Sequence, residues 1–563
     1  MNPAGAFHLI GRSRVLRMLT DVIEKRASSP LIFWLLAAVL LTIAGHPALW
    51  RHPFVYPHAW TSAHFATLAR SFAEHGVVAL GGVPIQNNAP LGIDPDASLH
   101  WPPLFPIVLS LGFQLFGEAE AVAHGLMLAV LMANAVVLYA LVKACAGREA
   151  GLFAAFAFLV LPVTAKYGHL VIPEHPAILG TLLALLAFIK ATGEAPLSRV
   201  WATFGAMSLM FATWTAWEPL LASPGVLIAA MWNRSRAQVR LALFYLCAGA
   251  GAFVIVIGIY VLQRPDLWTD LWRTIVFRTG VSDFQPTRSH VHTIVNDALY
   301  SRFSMPSWRI VLHTLVSRLE LIGQAGTVAI GTTLVIAWVR RGKSDDRGSA
   351  RLMFGGLLAM WGLWFALMLN HAYIHDMIML LAAPAAAAAL GLCGKLLIDL
   401  SDGAREASTR RAVRWGALVV LPAVLLLTLP ITIVERFLGV KRGDPDVSFA
   451  RAINEATDPG AVIMVRTPSM VPLYYSKRHL LRGVLGDHVV DSVENRMSEE
   501  FPGAQAYLAL RPLRDIEDFP NALQRLRLVK QSRDLILLAV GERNPGSAAA
   551  RTPVSSAPPP GAR

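Results

Sequence analysis

Hydrophobic residues in this chain come in long blocks, without the one-face spacing of a water-soluble fold. Runs of about twenty apolar residues, the length that carries a helix across a hydrocarbon core, fall at 31–50, 121–144, 151–166, 176–191, 200–214, 219–232, 241–262, 321–339, 352–370, 377–398 and 413–434. The expected fold class is an all-α polytopic membrane protein, with about eleven transmembrane helices over 31–434. After Val434 the blocks stop. A helix is expected near Ser448 to Thr457, and strand-like runs AVIMV (461–465), AYLAL (506–510) and LILLAV (535–540) alternate with turn residues, so 435–543 reads as a small α/β domain. Residues 544–563, rich in Pro, Ser and Ala, read as a disordered tail. In 1–30, Phe7 to Lys25 alternate apolar and basic residues at helical spacing, as in an amphipathic segment lying on a membrane surface.

Composition agrees with lipid as the main solvent: 55% of the residues are hydrophobic and only 15% charged, with a mean hydropathy of +0.49. A formal charge of +13 would suit a nucleic-acid binder. The basic residues, however, sit between the apolar blocks, in every second loop: Lys143 and Arg148; Lys190 and Arg199; Arg234, Arg236 and Arg240; Arg340, Arg341, Lys343, Arg347 and Arg351; Arg405, Arg410, Arg411 and Arg414. That alternation is the positive-inside pattern and excludes the nucleic-acid reading. With Arg12, Arg14, Arg17, Lys25 and Arg26 ahead of the first block, the N-terminus is expected in the cytoplasm and the C-terminal domain on the opposite, periplasmic side. Cys145, Cys247 and Cys393 lie in or beside apolar blocks and form neither a disulfide framework nor a metal motif. No internal repeat is visible, which argues against an inverted-repeat transporter.

The outward loops carry the polar chemistry. Two are long, 51–120 and 263–320, and two short turns read KYGHLVIPEH (166–175) and NHAYIHD (370–376). In PHAWTSAHFATLARSFAEHG (57–76) the spacing predicts an amphipathic helix, with Trp60, Phe65, Leu68, Ala69 and Phe72 on one side and His58, His64 and Arg70 toward another. The following apolar segment, Leu104 to Phe116, is too short to span and is expected to lie against or partly enter the membrane.

Ala69, Arg70, Phe72 and Gly76, followed by Pro102, Pro103, Leu104 and Phe105 and closed by Leu115, Phe116 and Gly117, resemble the GT-C class of polyprenyl-phosphate-sugar-dependent glycosyltransferases. The nearest likeness is to bacterial membrane proteins similar to protein O-mannosyltransferases (family 39) and to the lipid A aminoarabinose transferase. The resemblance implies a bacterial inner-membrane enzyme that takes a sugar from a polyprenyl-phosphate carrier and transfers it to a glycan, lipid or protein acceptor at the outer face. It implies a carboxylate as general base on the acceptor hydroxyl, basic groups on the lipid phosphate, and no soluble cofactor.

Where that class has an acidic pair at the start of the first outer helix, this chain has Thr61 and Ser62. The candidate replacements are His58 and His64, imidazoles able to take a proton near neutrality, and Asp94 and Asp96, whose D-x-D spacing fits either a metal pair or a turn around Pro95. Glu174 is a further catalytic candidate, or else the acidic cap of the helix beginning at Pro176. Candidate substrate-binding residues are Arg70, His100, His169, His371, Tyr373, His375 and Asp376, with Arg278 and Arg288 from the fourth outer loop. Arg there suits an anionic phosphate, although Asp266, Asp270, Asp283 and Asp297 leave a salt-bridged structural loop equally open. Trp214, Trp217 and Glu218 fit an interfacial belt or a cavity wall, and LYYSKRH (473–479) is a candidate acceptor contact. No metal site is assigned; the His and Asp spacing at 371–376 matches no standard one. Two other functions stay open: a non-catalytic binder of lipid-linked sugar or scaffold for envelope glycan assembly, and a lipid or glycan transporter.

Overall fold

The computed structural model describes residues 28–50, 53–54, 58–87, 97–193, 198–265, 268–281, 308–323, 326, 329–330, 345–441 and 445–543. They form a helical unit, in which the segments before Ile85, Ala97–Asp283 and Ser304–Gly443 associate, and an α/β unit centred on Asp444–Arg563.

The helical unit begins with α1 (Ser28–Ala44), α2 (Ala59–His75) and α3 (Leu104–Phe116), then α4 (Glu120–Ala146), α5 (Arg148–Val160) and the short α6 (Pro162–Tyr167). It continues with α7 (Glu174–Gly193), α8 (Arg199–Thr215), a 3-10 turn at Glu218–Leu221, α9 (Ala222–Trp232), α10 (Arg236–Gln263) and α11 (Trp268–Thr279). After α12 (Trp308–Arg318) come α13 (Asp345–Leu367), α14 (Leu369–Ile374), a 3-10 turn at Asp376–Ala382, α15 (Ala383–Gly403) and the α16 (Ala407–Trp415), α17 (Leu421–Leu426) and α18 (Thr428–Lys441) series. The glycines of the motif end its helices. Gly76 (φ 84°) and Gly117 (φ 87°) take up positive φ and donate their N–H groups back to Phe72 and Phe113, a stop that a Cβ would oppose.

Among the described residues seven helical stretches are long and apolar enough to span: Ser29–Trp50, Glu120–Ala146, Glu174–Gly193, Arg236–Gln263, Gly348–Leu367, Asp376–Gly403 and Ala407–Leu438. The chain is therefore a multi-pass membrane protein. Of the other expected spans, 151–166 is divided between α5 and α6 at Pro162, 200–214 is the 17-residue α8, and 219–232 is a 3-10 turn leading into the 11-residue α9. Most of 321–339 lies outside the described residues. Asp376–Gly403 is 89% buried over its most apolar window, which makes it the central post, whereas Ala407–Leu438 is only 22% buried and faces outward.

α2 corrects the amphipathic reading. Residues 61–72 are buried all round, including Arg70 and His64, because its polar side is covered by protein and the Arg70 guanidinium is held by Glu118 at 2.6 Å. α3 packs on α2 through Phe105, Leu109 and Phe113 and leaves Leu111, Leu115 and Phe116 exposed, the surface of a helix lying against lipid. α9 and α13 meet at backbone distance. A Cβ built on Gly355 would stand 2.7 Å from the carbonyl oxygen of Gly225, and one on Gly225 would collide with the Gly355 carbonyl; small residues at the crossing allow such close packing of membrane helices.

In the α/β unit, α19 (Pro445–Ala456) and α20 (Asp487–Glu500) flank strands β1 (Val462–Val465), β2 (His479–Arg482), β3 (Ala506–Leu510), β4 (Leu526–Gln531) and β5 (Ile536–Arg543) in the order β2-β1-β3-β5-β4. β1 pairs parallel with β2 and β3, while β5 is antiparallel to β3 and β4. Val462, Met464, Leu481, Val490, Leu508 and Leu538 form its core. The LYYSKRH stretch is built into this fold: Leu473, Tyr474 and His479 are buried.

Candidate active site

A carboxylate from a distant part of the chain, Asp376, stands beside the start of α2. His58, just before α2, adopts a left-handed backbone (φ 56°) that a non-glycine residue takes at a cost of ~1–2 kcal/mol. Its Nε2 lies 2.6 Å from Oδ1 of Asp376, the first residue of the 3-10 turn ahead of α15. Tyr167, at the end of α6, donates its hydroxyl to Oδ2 at 2.5 Å. Lys166 Nζ stands 3.8 Å from the same oxygen. The side chains of His58, Asp376 and Lys166 are 19%, 26% and 34% exposed, so the cluster is open to the protein surface. With Nε2 donating to the carboxylate, Nδ1 is the acceptor nitrogen of His58.

Thr61 and Ser62 tie the neighbouring turns to α2. Ser62 Oγ accepts the Val171 N–H at 3.0 Å, and Thr61 Oγ1 lies 3.8 Å from Met377 Sδ. Arg318 donates to the carbonyls of Ala372 and Tyr373 and so fixes the turn that presents Asp376. Tyr373 itself is half-buried.

Beside this cluster lies a second, deeper one. His375 faces Trp60 at 5.4 Å and His371 at 4.8 Å between ring centres. Burial, then the charges of Arg278, His58 and Arg318, lower the pKa of His375 to about 3. Burial and Arg278 likewise hold His371 far below the usual imidazole range, and its Nδ1 accepts the Trp364 indole N–H at 3.3 Å. The Arg278 guanidinium lies 5.1 Å over the Trp101 ring. It is also within electrostatic reach of Glu174 and Glu218. Those two carboxyls interact with each other, are 1% and 0% exposed, and their oxygens have no hydrogen-bond partner among the described residues. Two such carboxyls cannot both ionise without large cost. His100 secures the wall: Nε2 is 3.1 Å from Thr274 Oγ1, and its carbonyl accepts the Trp217 N–H.

Of the residues singled out in the sequence, His58, Asp376, His375, His371 and Arg278 come together. His64 packs on Phe65 inside α2, Arg70 is engaged with Glu118, and His169 belongs to a separate buried histidine group. Asp94, Asp96 and Arg288 lie outside the described residues. No trio of His, Cys, Asp or Glu among the described residues is arranged to hold a metal. Tyr167 and Arg318 were missed. Tyr167 carried a signal, an aromatic hydroxyl next to Lys166 in an outer turn; Arg318 carried none.

Comparisons with known proteins agree on the class of fold. Residues 100–261 match the family model described as dolichyl-phosphate-mannose-protein mannosyltransferase. That segment contains Lys166, Tyr167, Glu174 and Glu218 but neither His58 nor Asp376. No curated protein sequence matches the chain. Among solved structures, ArnT from Cupriavidus metallidurans bound to undecaprenyl phosphate superposes with a TM-score of 0.51 and 14% identity, covering 90% of this chain and 97% of that one. The Archaeoglobus fulgidus oligosaccharyltransferase tethered with an acceptor peptide gives 0.54 and 10%, covering 87% and 70%. AglB from the same organism, in complex with an inhibitory peptide and a dolichol-phosphate, gives 0.52 and 11%, covering 86% and 69%. At these identities what is shared is the fold, and it is the fold of GT-C glycosyltransferases.

Proposed function

We propose that this GT-C-fold membrane protein is a glycosyltransferase that moves a sugar from a polyprenyl-phosphate carrier to an acceptor hydroxyl at the outer face of a bacterial inner membrane. The observation that carries the reading is the His58–Asp376 pair, which brings a carboxylate-oriented base to the start of α2, where the resemblance implies an acidic pair. In this reading the N-terminus is cytoplasmic, the α/β domain periplasmic, and the expected layout of about eleven spans sets the polar turns on the outer side.

The acceptor hydroxyl attacks the anomeric carbon as the carbon–oxygen bond to phosphate breaks. His58 Nδ1 takes the hydroxyl proton, and Asp376 stabilises the imidazolium formed. The polyprenyl phosphate leaves as an anion facing Lys166, with Arg278 deeper in the same region. Glu174 and Glu218, sharing a proton, offer hydrogen-bond acceptors to sugar hydroxyls. ArnT and AglB were solved with polyprenyl-type phosphates, which supports the carrier class.

The test is transfer of radiolabelled sugar from a panel of polyprenyl-phosphate donors in membranes containing the protein. Transfer from one donor supports the enzyme. Thr61 and Ser62 favour a second reading, a non-catalytic binder, and donor binding without any transfer would select it.

A further inference from the structure

Outside the candidate active site, one buried spot gathers groups that can carry positive charge. Arg436 on α18 is 8% exposed, and His46 after α1, His124 on α4, His169 in the turn before α7 and His175 in its first turn are all 2% exposed or less. The rings of His124 stand 6.1 Å from His46 and 6.2 Å from His169. Arg436 donates Nη1 to the Gly45 carbonyl at 2.9 Å and Nη2 to the Ala165 carbonyl at 2.8 Å. No carboxylate pairs with it among the described residues. Its Nε, His46 Nε2, both ring nitrogens of His169, His175 Nδ1 and Thr164 Oγ1 have no hydrogen-bond partner there either.

A guanidinium buried without an anion is expensive, and buried polar atoms are as a rule paired. Most of these atoms can donate a hydrogen bond, the exception being His175 Nδ1, since the ring's N–H faces the Tyr167 carbonyl. A metal cation is repelled by Arg436, and no three candidate ligands among the described residues are placed to hold one. A neutral sugar would leave the charge uncompensated. A compact oxyanion answers both needs, accepting from Arg436, from the His46 Nε2–H, whose Nδ1 already accepts the Ala48 N–H, from one N–H of His169 and from the Thr164 hydroxyl; the His124 and His175 rings give their N–H to the His169 and Tyr167 carbonyls and only wall the spot. Burial and the Arg436 charge keep the His169 ring neutral, so an arriving anion would draw a proton onto it.

We propose that Arg436, His46, His169 and Thr164 form a binding site for a phosphate-class oxyanion, separate from the His58–Asp376 cluster. The ion is either free phosphate or the head group of a phosphorylated lipid, and the proposal does not depend on the transferase reading.

The test is equilibrium binding of labelled inorganic phosphate, and separately of a short-chain polyprenyl phosphate, to the full chain in detergent. Arg436→Gln, His169→Gln and Lys166→Gln are compared with the parent, and folding is checked by gel filtration and circular dichroism. The expected result is saturable binding of one or both probes that persists in Lys166→Gln, which removes only what binds at the candidate active site, and that is weakened at least about tenfold by Arg436→Gln and by His169→Gln. Arg436-dependent binding of inorganic phosphate identifies a free ion; Arg436-dependent binding of the lipid alone identifies a head group. The proposal is overturned if neither probe binds, or if Lys166→Gln abolishes binding that Arg436→Gln leaves intact. Should Arg436→Gln misfold, unchanged affinity in His169→Gln overturns it alone.

Discussion

Replacing Asp376 by Asn keeps the shape of the side chain and removes its charge. In the parent, the carboxylate faces His58 Nε2 at 2.6 Å, with exposures of 26% and 19% for the two side chains. An effective dielectric of about 40 suits such half-buried groups. A unit charge pair at that separation is then worth ~3 kcal/mol once His58 has taken the acceptor proton. Each 1.36 kcal/mol is about tenfold in rate, so transfer should fall about a hundredfold. Asn can also turn its amide N–H toward Nε2, which reverses the tautomer and adds to the loss. His58→Gln, which removes the base, should cost about 10²–10⁴-fold. The assay is single-turnover transfer of labelled sugar from saturating polyprenyl-phosphate donor, which separates chemistry from donor binding. If folded Asp376→Asn protein transfers within about threefold of the parent rate, the dyad is not the base.

Other outcomes follow from the same geometry. Ser62→Asp, which rebuilds half of an acidic pair, buries a charge against the Val171 N–H where the residue is 1% exposed; we expect ~3 kcal/mol or more of destabilisation and no gain in transfer, read by thermal unfolding in detergent and the same assay. Arg70→Ala should destabilise by ~3–5 kcal/mol, and Arg70→Lys should recover little of it, because the buried guanidinium holds Glu118 through both Nε and Nη2. His375 has a folded pKa near 3 against 6.5 for the free side chain. The folded state thus binds fewer protons, and the stability due to the neutral ring is complete above pH 6.5 and lost as pH falls toward 3. His375→Gln should flatten that acid limb by up to ~1.4 kcal/mol per pH unit, followed as melting temperature against pH. Leu508→Ala in β3 should cost the α/β domain ~2–5 kcal/mol, measured by denaturant melts.

Much of the fold was legible because lipid imposes long apolar runs, and the seven spanning stretches coincide with such runs. Length was the weaker guide: 151–163 is uniformly apolar, yet Pro162 divides it. α2 looked amphipathic because periodicity records polarity alone and is blind to the protein that covers Arg70. In the α/β domain the apolar strands β1, β3 and β5 were visible, whereas His479–Arg482 and the largely exposed Leu526–Gln531 were too short or too polar to register. The site was legible residue by residue but not as an arrangement. His58 and Asp376 were each singled out, but their 318-residue separation hides a 2.6 Å contact from any local pattern. Glu218 was noticed as part of a wall; its meeting with Glu174 is likewise a product of tertiary folding.

The crossing of α9 and α13 has a consequence for how such chains diverge. Lipid-facing Leu, Val and Ile can exchange among themselves at little cost. Gly225 and Gly355 cannot, since the smallest addition at either drives a methyl group into the other's carbonyl, and a compensating change has nothing smaller to offer. In homologues that have drifted beyond recognition elsewhere, two glycines at this spacing should persist as fixed landmarks.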